Sequence, residues 1–270
     1  MRSFNNSVGG HKINLMLNEN DLIIKSTNDF ELDFYSSVNQ SHPIFSHIPK
    51  FYGTLQLTND NVTSSDNNDD SYIDDISIPK KAIVIENFCD YFSIPNILDL
   101  KLGKVLHDEF ANEEKANKMK LASLNTTSNE TGIRFTGFKV WNTNRNDYDI
   151  IDKAYGKSLK PENLPEGLSK FLSINSLPLN YLNIILKNLI HDLEILRDDI
   201  LKMPFKAIGT SLLIIYEADI ENFHEDDCVI VKLIDFAHTR LISNKDEIPD
   251  HNILFGINYF LELLYNFKIQ

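Results

Sequence analysis

Two kinds of apolar pattern run along the chain. The front third carries short β-like runs separated by polar turns: Leu22-Ile23-Ile24-Lys25, the alternating Phe51-Tyr52-Gly53-Thr54-Leu55-Gln56-Leu57, and the continuous Ala82-Ile83-Val84-Ile85-Glu86. Alternation predicts a half-buried strand, and an unbroken apolar run predicts a strand buried on both faces. Between the first two runs Phe30, Phe34 and Val38 recur at four-residue steps, which predicts a helix over 28–38 with Asn28 as its N-cap. Further on, Leu182, Ile185, Leu186, Leu189, Leu193, Leu196 and Ile200 recur at three- and four-residue steps, the mark of a long amphipathic helix. Residues 211–216 and 228–234 read as neighbouring apolar strands, and 252–265 as an apolar helix on the core. Residues 58–79 are dominated by Asn, Asp and Ser and lack the apolar surface that would offset ordering, so they read as a mobile surface insertion. Residues 125–132 read as a second loop of that kind. No solenoid period is present. The strand-rich front and mixed back predict an N-terminal lobe over 1–88 and a C-terminal lobe over 89–270, joined near 87–90, with a ligand cleft between them.

The chain has 270 residues, of which 42% are apolar, enough for a sizeable core. Twenty-six basic residues against thirty-nine acidic ones leave a net charge of −13. That balance disfavours a general nucleic-acid or anionic-membrane binder, since such proteins neutralise phosphates with excess Lys and Arg. A small anion in a local basic pocket stays open. Cys89 and Cys228 alone make neither a disulfide framework nor a cysteine zinc site. Residues 1–10 are polar, without the apolar core of a signal peptide. The apolar stretches are too short to span a bilayer. A reduced, soluble protein of the cytoplasm, or also of the nucleus, is the expectation.

The most informative stretch is Pro95-Asn96-Ile97-Leu98-Asp99-Leu100-Lys101-Leu102-Gly103-Lys104. Asp99 and Lys101, two apart on an extended segment, point to one side. A carboxylate and an ammonium so placed suit an acceptor and a transferring phosphoryl group. Lys101, Lys104 and His107 are spaced by three and would form a basic row on a 3-10 turn; Lys115 and Lys118 repeat the step. The competing reading is a solvated helix face, with these lysines paired to Asp108, Glu109, Glu113 and Glu114. In Ile234-Asp235-Phe236-Ala237-His238, Asp235 ends a buried run. A carboxylate there can hold Mg2+, as the Asp-Phe-Gly segment of protein kinases does, though here Ala237 replaces the glycine and many strands end in Asp merely to turn. Lys25 ends a strand and Glu31 lies on the next helix, a pairing that holds nucleotide phosphates in kinase-like folds and elsewhere is an ordinary surface pair. Residues 86–90 follow a buried strand where backbone amides could meet an adenine and Asp90 a ribose, or where the chain simply turns. Ser211 sets a hydroxyl at the start of a buried strand, for a ligand or for a turn cap. There is no P-loop, Gly-x-Gly-x-x-Gly, Gly-x-Ser-x-Gly elbow or zinc spacing.

Together these stretches resemble the inositol polyphosphate kinase family. The Pro-x-x-x-Asp-x-Lys-x-Gly signature stands at Pro95, Asp99, Lys101 and Gly103. The Ser-Leu-Leu element stands at 211–213 and the Ile-Asp-Phe element at 234–236, in the family's order and behind the Lys25 and Glu31 pair. The resemblance runs from about Lys25 to the C-terminus. It implies an α/β (α+β), two-lobed, protein-kinase-like fold with antiparallel sheets and ATP with Mg2+ in the inter-lobe cleft. By match of position Lys25 contacts ATP phosphates, Glu86 and Phe88 the adenine, Asp90 the ribose, and Asp235 with Ser211 the metal. Lys101 bridges the transferred phosphate and the substrate, with Asp99 and Asp235 as the other catalytic groups. Lys104, His107, Lys115, Lys118 and His238 bind substrate phosphates, the helical segment 103–122 carrying most of them. Residues 211–216, 234–239 and 113–116 look most like the inositol hexakisphosphate kinase branch, which implies transfer from ATP to inositol hexakisphosphate to give a diphosphoinositol phosphate. Hydroxyls of lower inositol phosphates are further acceptors. The alternatives are an inositol polyphosphate multikinase acting on tris- and tetrakisphosphates, and a non-catalytic inositol-phosphate sensor. Lack of His-Arg-Asp and Ala-Pro-Glu elements argues against a protein kinase. Soluble inositol polyphosphates are the expected partners of a monomer that meets neither nucleic acid nor membrane.

Overall fold

Short β-branched runs and two strongly periodic helices build two antiparallel sheets and a helical base. The computed structural model describes residues 2–4, 6–8, 15–38, 40–57, 80–172, 177–242 and 249–268; the expected insertion over 58–79 lies outside them. The first sheet contains β1 (Arg2–Ser3), β2 (Leu15–Leu17), β3 (Ile23–Ser26), β4 (Phe51–Leu57) and β5 (Lys80–Ile85), in the order β1-β2-β3-β5-β4. The second contains β6 (Pro95–Leu102), β7 (Ile133–Asn142), β8 (Asp147–Ile151), β10 (Ser211–Glu217) and β11 (Val229–Ile234), in the order β11-β10-β6-β7-β8. A two-stranded ribbon joins β9 (Phe205–Ala207) to β12 (Thr239–Leu241).

The helix α1 (Asp29–Ser37) starts where expected: the Asn28 side chain accepts from the Glu31 N–H, and Asp29 and Glu31 put negative charge in the first turn, favourable for the helix dipole. Its Phe34 and Tyr35 are buried against Phe236 while Phe30 faces outward. Of the helices α2 (Glu113–Leu124), α3 (Ser128–Thr131), α4 (Lys153–Ser158) and α5 (Leu164–Phe171), the last two pack on β7 of the second sheet, while α2 packs on α3 and α3 on the C-terminal helix. The expected loop over 125–132 thus contains one helical turn. Its Thr127 and Thr131 are buried, and their hydroxyls are satisfied by bonding the Ile133 carbonyl. The 22-residue α6 (Leu179–Ile200) buries Leu182, Ile185, Leu189, Leu193, Leu196 and Ile200 along one stripe. The last helix, α7 (His251–Asn266), packs beside it and is capped by Asp250, whose second oxygen accepts from the Ala207 N–H of β9.

The central strand β6 decides where the chemistry sits. It is bonded on both sides, Asp99 opposite Leu213 of β10 and Gly137 of β7, and Lys101 opposite Ser211 and Arg134. Its even-numbered Leu98, Leu100 and Leu102 belong to the main core, whereas Ile97 and Asp99 face the cleft between the sheets. Near-continuous burial hides this alternation from the sequence. The connection from β5 to β6 makes a 3-10 turn at Phe88–Tyr91, pinned where the Glu217 carboxylate accepts from the Ser93 and Ile94 N–H groups at 2.7 and 2.9 Å.

Candidate active site

Three separate stretches of sequence meet at the cleft. Lys25, at the end of β3, donates to Glu31 Oε1 at 2.6 Å and to Asp235 Oδ1 at 2.8 Å. Glu31 is 1% exposed and also accepts from the Phe236 N–H at 3.1 Å and the Thr27 hydroxyl at 2.9 Å. Asn28 Nδ2 donates to the Ala237 carbonyl. The first sheet and its helix therefore grip the 235–237 segment by side chain and backbone together. Asp235 has a left-handed backbone, φ 66°, held in place by these bonds and by the Thr210 hydroxyl on its carbonyl. Burial alone would lower the basicity of Lys25, but the carboxylates of Asp235 and Glu31 overcome it and hold the ammonium above the ordinary lysine range.

Lys101 extends from β6 to within 3.8 Å of Asp235 Oδ2 and donates to the Gly209 carbonyl at 2.5 Å. Asp99, 6% exposed, lies beside it near the Ser211 and Thr136 hydroxyls, and its Oδ1 has no hydrogen-bond partner. Burial pushes the Asp99 carboxyl up in pKa, against Lys101, which lowers it, and with Asp235, which raises it. Among the described residues no three His, Cys, Asp or Glu side chains group as a closed metal cage. Asp235, 36% exposed at its side chain, with the buried Ser211 hydroxyl, instead forms a sparse set of hard oxygen donors. Such a set fits a divalent ion that takes its remaining ligands from nucleotide phosphates and water.

Two cavities open here. The first, about 530 Å3, runs from Asp99, Lys25 and Asp235 to an apolar end at Ile23, Ile97, Phe88 and Leu213. The second, about 550 Å3, is walled by His107, Lys206, His238, Arg240 and His251 among others, and shares Ile208 and His238 with the first.

A model of the inositol polyphosphate kinase family matches residues 82–265. The chain belongs to that family. This kinase, a phosphotransferase, is 29% identical over 259 residues to an inositol polyphosphate multikinase of Schizosaccharomyces pombe, covering 95% of this chain and 94% of the relative. It is 25% identical over 350 residues to the multikinase of Saccharomyces cerevisiae, covering 98% of each. Inositol hexakisphosphate kinase 3 of Mus musculus is 29% identical over 201 residues, covering 68% of this chain and half of the relative. Among solved structures, the S. cerevisiae inositol phosphate multikinase in complex with ADP and Mn2+ superposes with a TM-score of 0.76 at 28% identity, covering 91% of this chain and 98% of that one.

The structure brings Lys25, Asp99, Lys101, Ser211 and Asp235 of this kinase together and sets His107 and His238 on the second cavity. It does not bring in every residue expected. Glu86 and Phe88 line the first cavity, but the Glu86 carboxylate already accepts from the Lys50 N–H and the Tyr91 hydroxyl, so only its backbone is open to a ligand role. Asp90 is exposed on the 3-10 turn and lines neither cavity. The expected basic row is absent: no 3-10 turn follows β6, and helix begins only at Glu113. Gly103 adopts φ 94°, and the next two N–H groups are taken by Asn252 Oδ1. Lys104 lies with its ammonium 3.8 Å from the Phe255 ring centroid, outside both cavities. Lys115 and Lys118 are exposed on α2 and line neither cavity. Asp108 and Glu109 pair with His238 and Arg240, not with the nearby lysines.

Sequence reasoning missed Arg134, Lys206, Arg240, His251 and also Phe4 and Val8, which pack against Phe88 and Ile97 at the apolar end of the first cavity. Lys206 and Arg240 face each other across the short β9–β12 ribbon, which is too brief to leave a periodic signal. Arg134 could have been found as the cross-strand neighbour of Lys101 once β7 was recognised.

Proposed function

We propose that this kinase is an inositol polyphosphate multikinase, transferring the γ-phosphoryl group of ATP to a hydroxyl of an inositol tris- or tetrakisphosphate. The observation that carries the reading is Asp99. A buried carboxylate with raised proton affinity and an unpartnered oxygen suits removal of a proton from a hydroxyl acceptor. A phosphate acceptor is already anionic and needs no such base. Near full-length similarity to multikinases, against matches to half the length of the hexakisphosphate kinase, supports the same choice over the diphosphate-forming branch.

In this mechanism the adenine occupies the apolar end of the first cavity, against Ile23, Ile97, Phe88 and Leu213, with the backbone of 86–88 at its edge. Lys25 neutralises the nucleotide phosphates, and Glu31 holds it in place. Asp235, with Ser211, would hold Mg2+, which would offset negative charge on the nucleotide phosphates. Asp99 takes the proton of the acceptor hydroxyl as that oxygen bonds to the γ-phosphorus. The bond from phosphorus to the bridging oxygen breaks, and ADP leaves. Lys101 stabilises the charge on the group in flight, worth about 2–4 kcal/mol for a preorganised donor of this kind. His238, shared by the two cavities, stands where the acceptor's ring passes from the second cavity to the transfer site. The test is incubation with Mg-ATP and each acceptor from tris- to hexakisphosphate, with products separated by anion exchange. Turnover of the lower members is expected; a product more acidic than hexakisphosphate as the main outcome overturns the reading.

A further inference from the structure

The basic wall of the second cavity is partly occupied by the protein's own carboxylates. His238 Nδ1 lies 2.5 Å from Asp108 Oδ2. Arg240 Nε lies 2.8 Å from Glu109 Oε1, and its Nη2 donates to Glu109 Oε2 at 3.4 Å. Both acids come from one strap between β6 and α2, and that strap is fixed at both ends. At its root Asn252 Oδ1 accepts from the Lys104 and Val105 N–H groups while Asn252 Nδ2 donates to the Val105 carbonyl. At its tip Phe110 stacks on Phe30 of α1, ring centroids 6.0 Å apart, and Asp108 Oδ1 accepts from the Phe110 N–H. The Asp108 side chain is 16% exposed and that of Glu109 54%. These are built parts of the wall.

We propose that Asp108 and Glu109 limit how many phosphates the acceptor can carry, selecting tris- and tetrakisphosphates over the hexakisphosphate. The inference rests on the acceptor lying in this cavity, as above. A phosphate at His238 or Arg240 must displace a carboxylate or sit beside it, and like charges at contact repel strongly where water is partly excluded. A ring hydroxyl at the same place donates to the carboxylate instead. An acceptor with free hydroxyls satisfies the strap; a ring phosphorylated at every carbon has none to offer. The device thus rejects one ligand as well as favouring another.

The experiment measures the inhibition constant of inositol hexakisphosphate against inositol trisphosphate phosphorylation, which reads binding whether or not the hexakisphosphate turns over. Asp108→Asn, Glu109→Gln and the double variant are compared with the parent, and Arg240→Ala reports on the cavity. The Asn variant keeps an Oδ1 for the Phe110 N–H, and the two single variants stand in if the double one folds poorly. Hexakisphosphate should bind about tenfold tighter in the double variant, with trisphosphate KM changed far less and ATP KM unchanged. If hexakisphosphate affinity stays constant or falls in all three variants while Arg240→Ala raises the acceptor KM, the strap proposal is wrong and the acceptor cavity stands. If Arg240→Ala also leaves every acceptor constant unchanged, acceptors bind elsewhere and both fall.

Discussion

Replacing Asp99 with Asn should make the protein more stable and nearly inactive. The side chain is 6% exposed, and its Oδ1 has no hydrogen-bond partner. Burial of the charged form is the dominant influence on it, outweighing Lys101 and the nearby Ser211 and Thr136 hydroxyls. An amide of the same shape relieves that burial, while Lys101 keeps the Gly209 carbonyl and Asp235. Keeping the carboxyl charged above its ordinary range costs about 1.4 kcal/mol for each pH unit by which it is raised, which scales the expected gain. For a protein of this size that is about 2–4 °C in Tm per kcal/mol. The sign with pH follows from the raised carboxyl. Between the ordinary value of 3.8 and the raised one, the folded protein holds a proton that the unfolded chain has released, so this group's contribution to stability falls as pH rises. The advantage of the Asn variant should therefore be small at acid pH, grow through that interval and then level off. Paired denaturant titrations of the two proteins from pH 4 to 8 isolate the difference, since all other groups are shared. Loss of the base should lower kcat for hydroxyl acceptors by about 100-fold or more. A variant that is less stable at every pH, or one that keeps full turnover, sinks the reasoning.

Glu31→Ala removes one of the two carboxylates on the Lys25 ammonium and the acceptor of the buried Phe236 N–H, so it should destabilise the fold by about 1–3 kcal/mol, measured by urea unfolding; no loss at all would mean that the two sheets do not depend on this contact. Gly137→Ala acts at a distance from the phosphates. A Cβ there would stand 1.9 Å from the Val8 carbonyl oxygen, forcing the 6–8 segment off the apolar end of the nucleotide cavity, so ATP KM should rise several-fold with acceptor KM unchanged; equal KM values for ATP would show that this segment does not close the site.

Which parts were legible in the sequence has a physical pattern. The helices α1, α6 and α7 and the strands β5, β10 and β11 carry enough consecutive periodic positions for burial to show in the residue order. The chemistry of Lys25, Asp99, Lys101 and Asp235 was legible for another reason: residue type and spacing mark them, and β3, the central strand β6 and the end of β11 deliver them to one cleft. The strap is the opposite case. Counting in threes from Lys101 assumed a continuing helical turn. Gly103 instead turns away at φ 94°, and a Cβ on it would meet Asn252 Nδ2 at 2.3 Å. That glycine makes room for the Asn252 side chain, whose amide sets the path of the strap and leaves its carboxylates opposite His238 and Arg240. Glu109 and Arg240 are 131 residues apart, and no local rule pairs them. The net charge of −13 was read as a general bar to polyanions with one basic pocket spared. The strap places two of those negative charges inside the basic pocket itself, so discrimination among anions rests on how the charges are interleaved there more than on the sum over the chain.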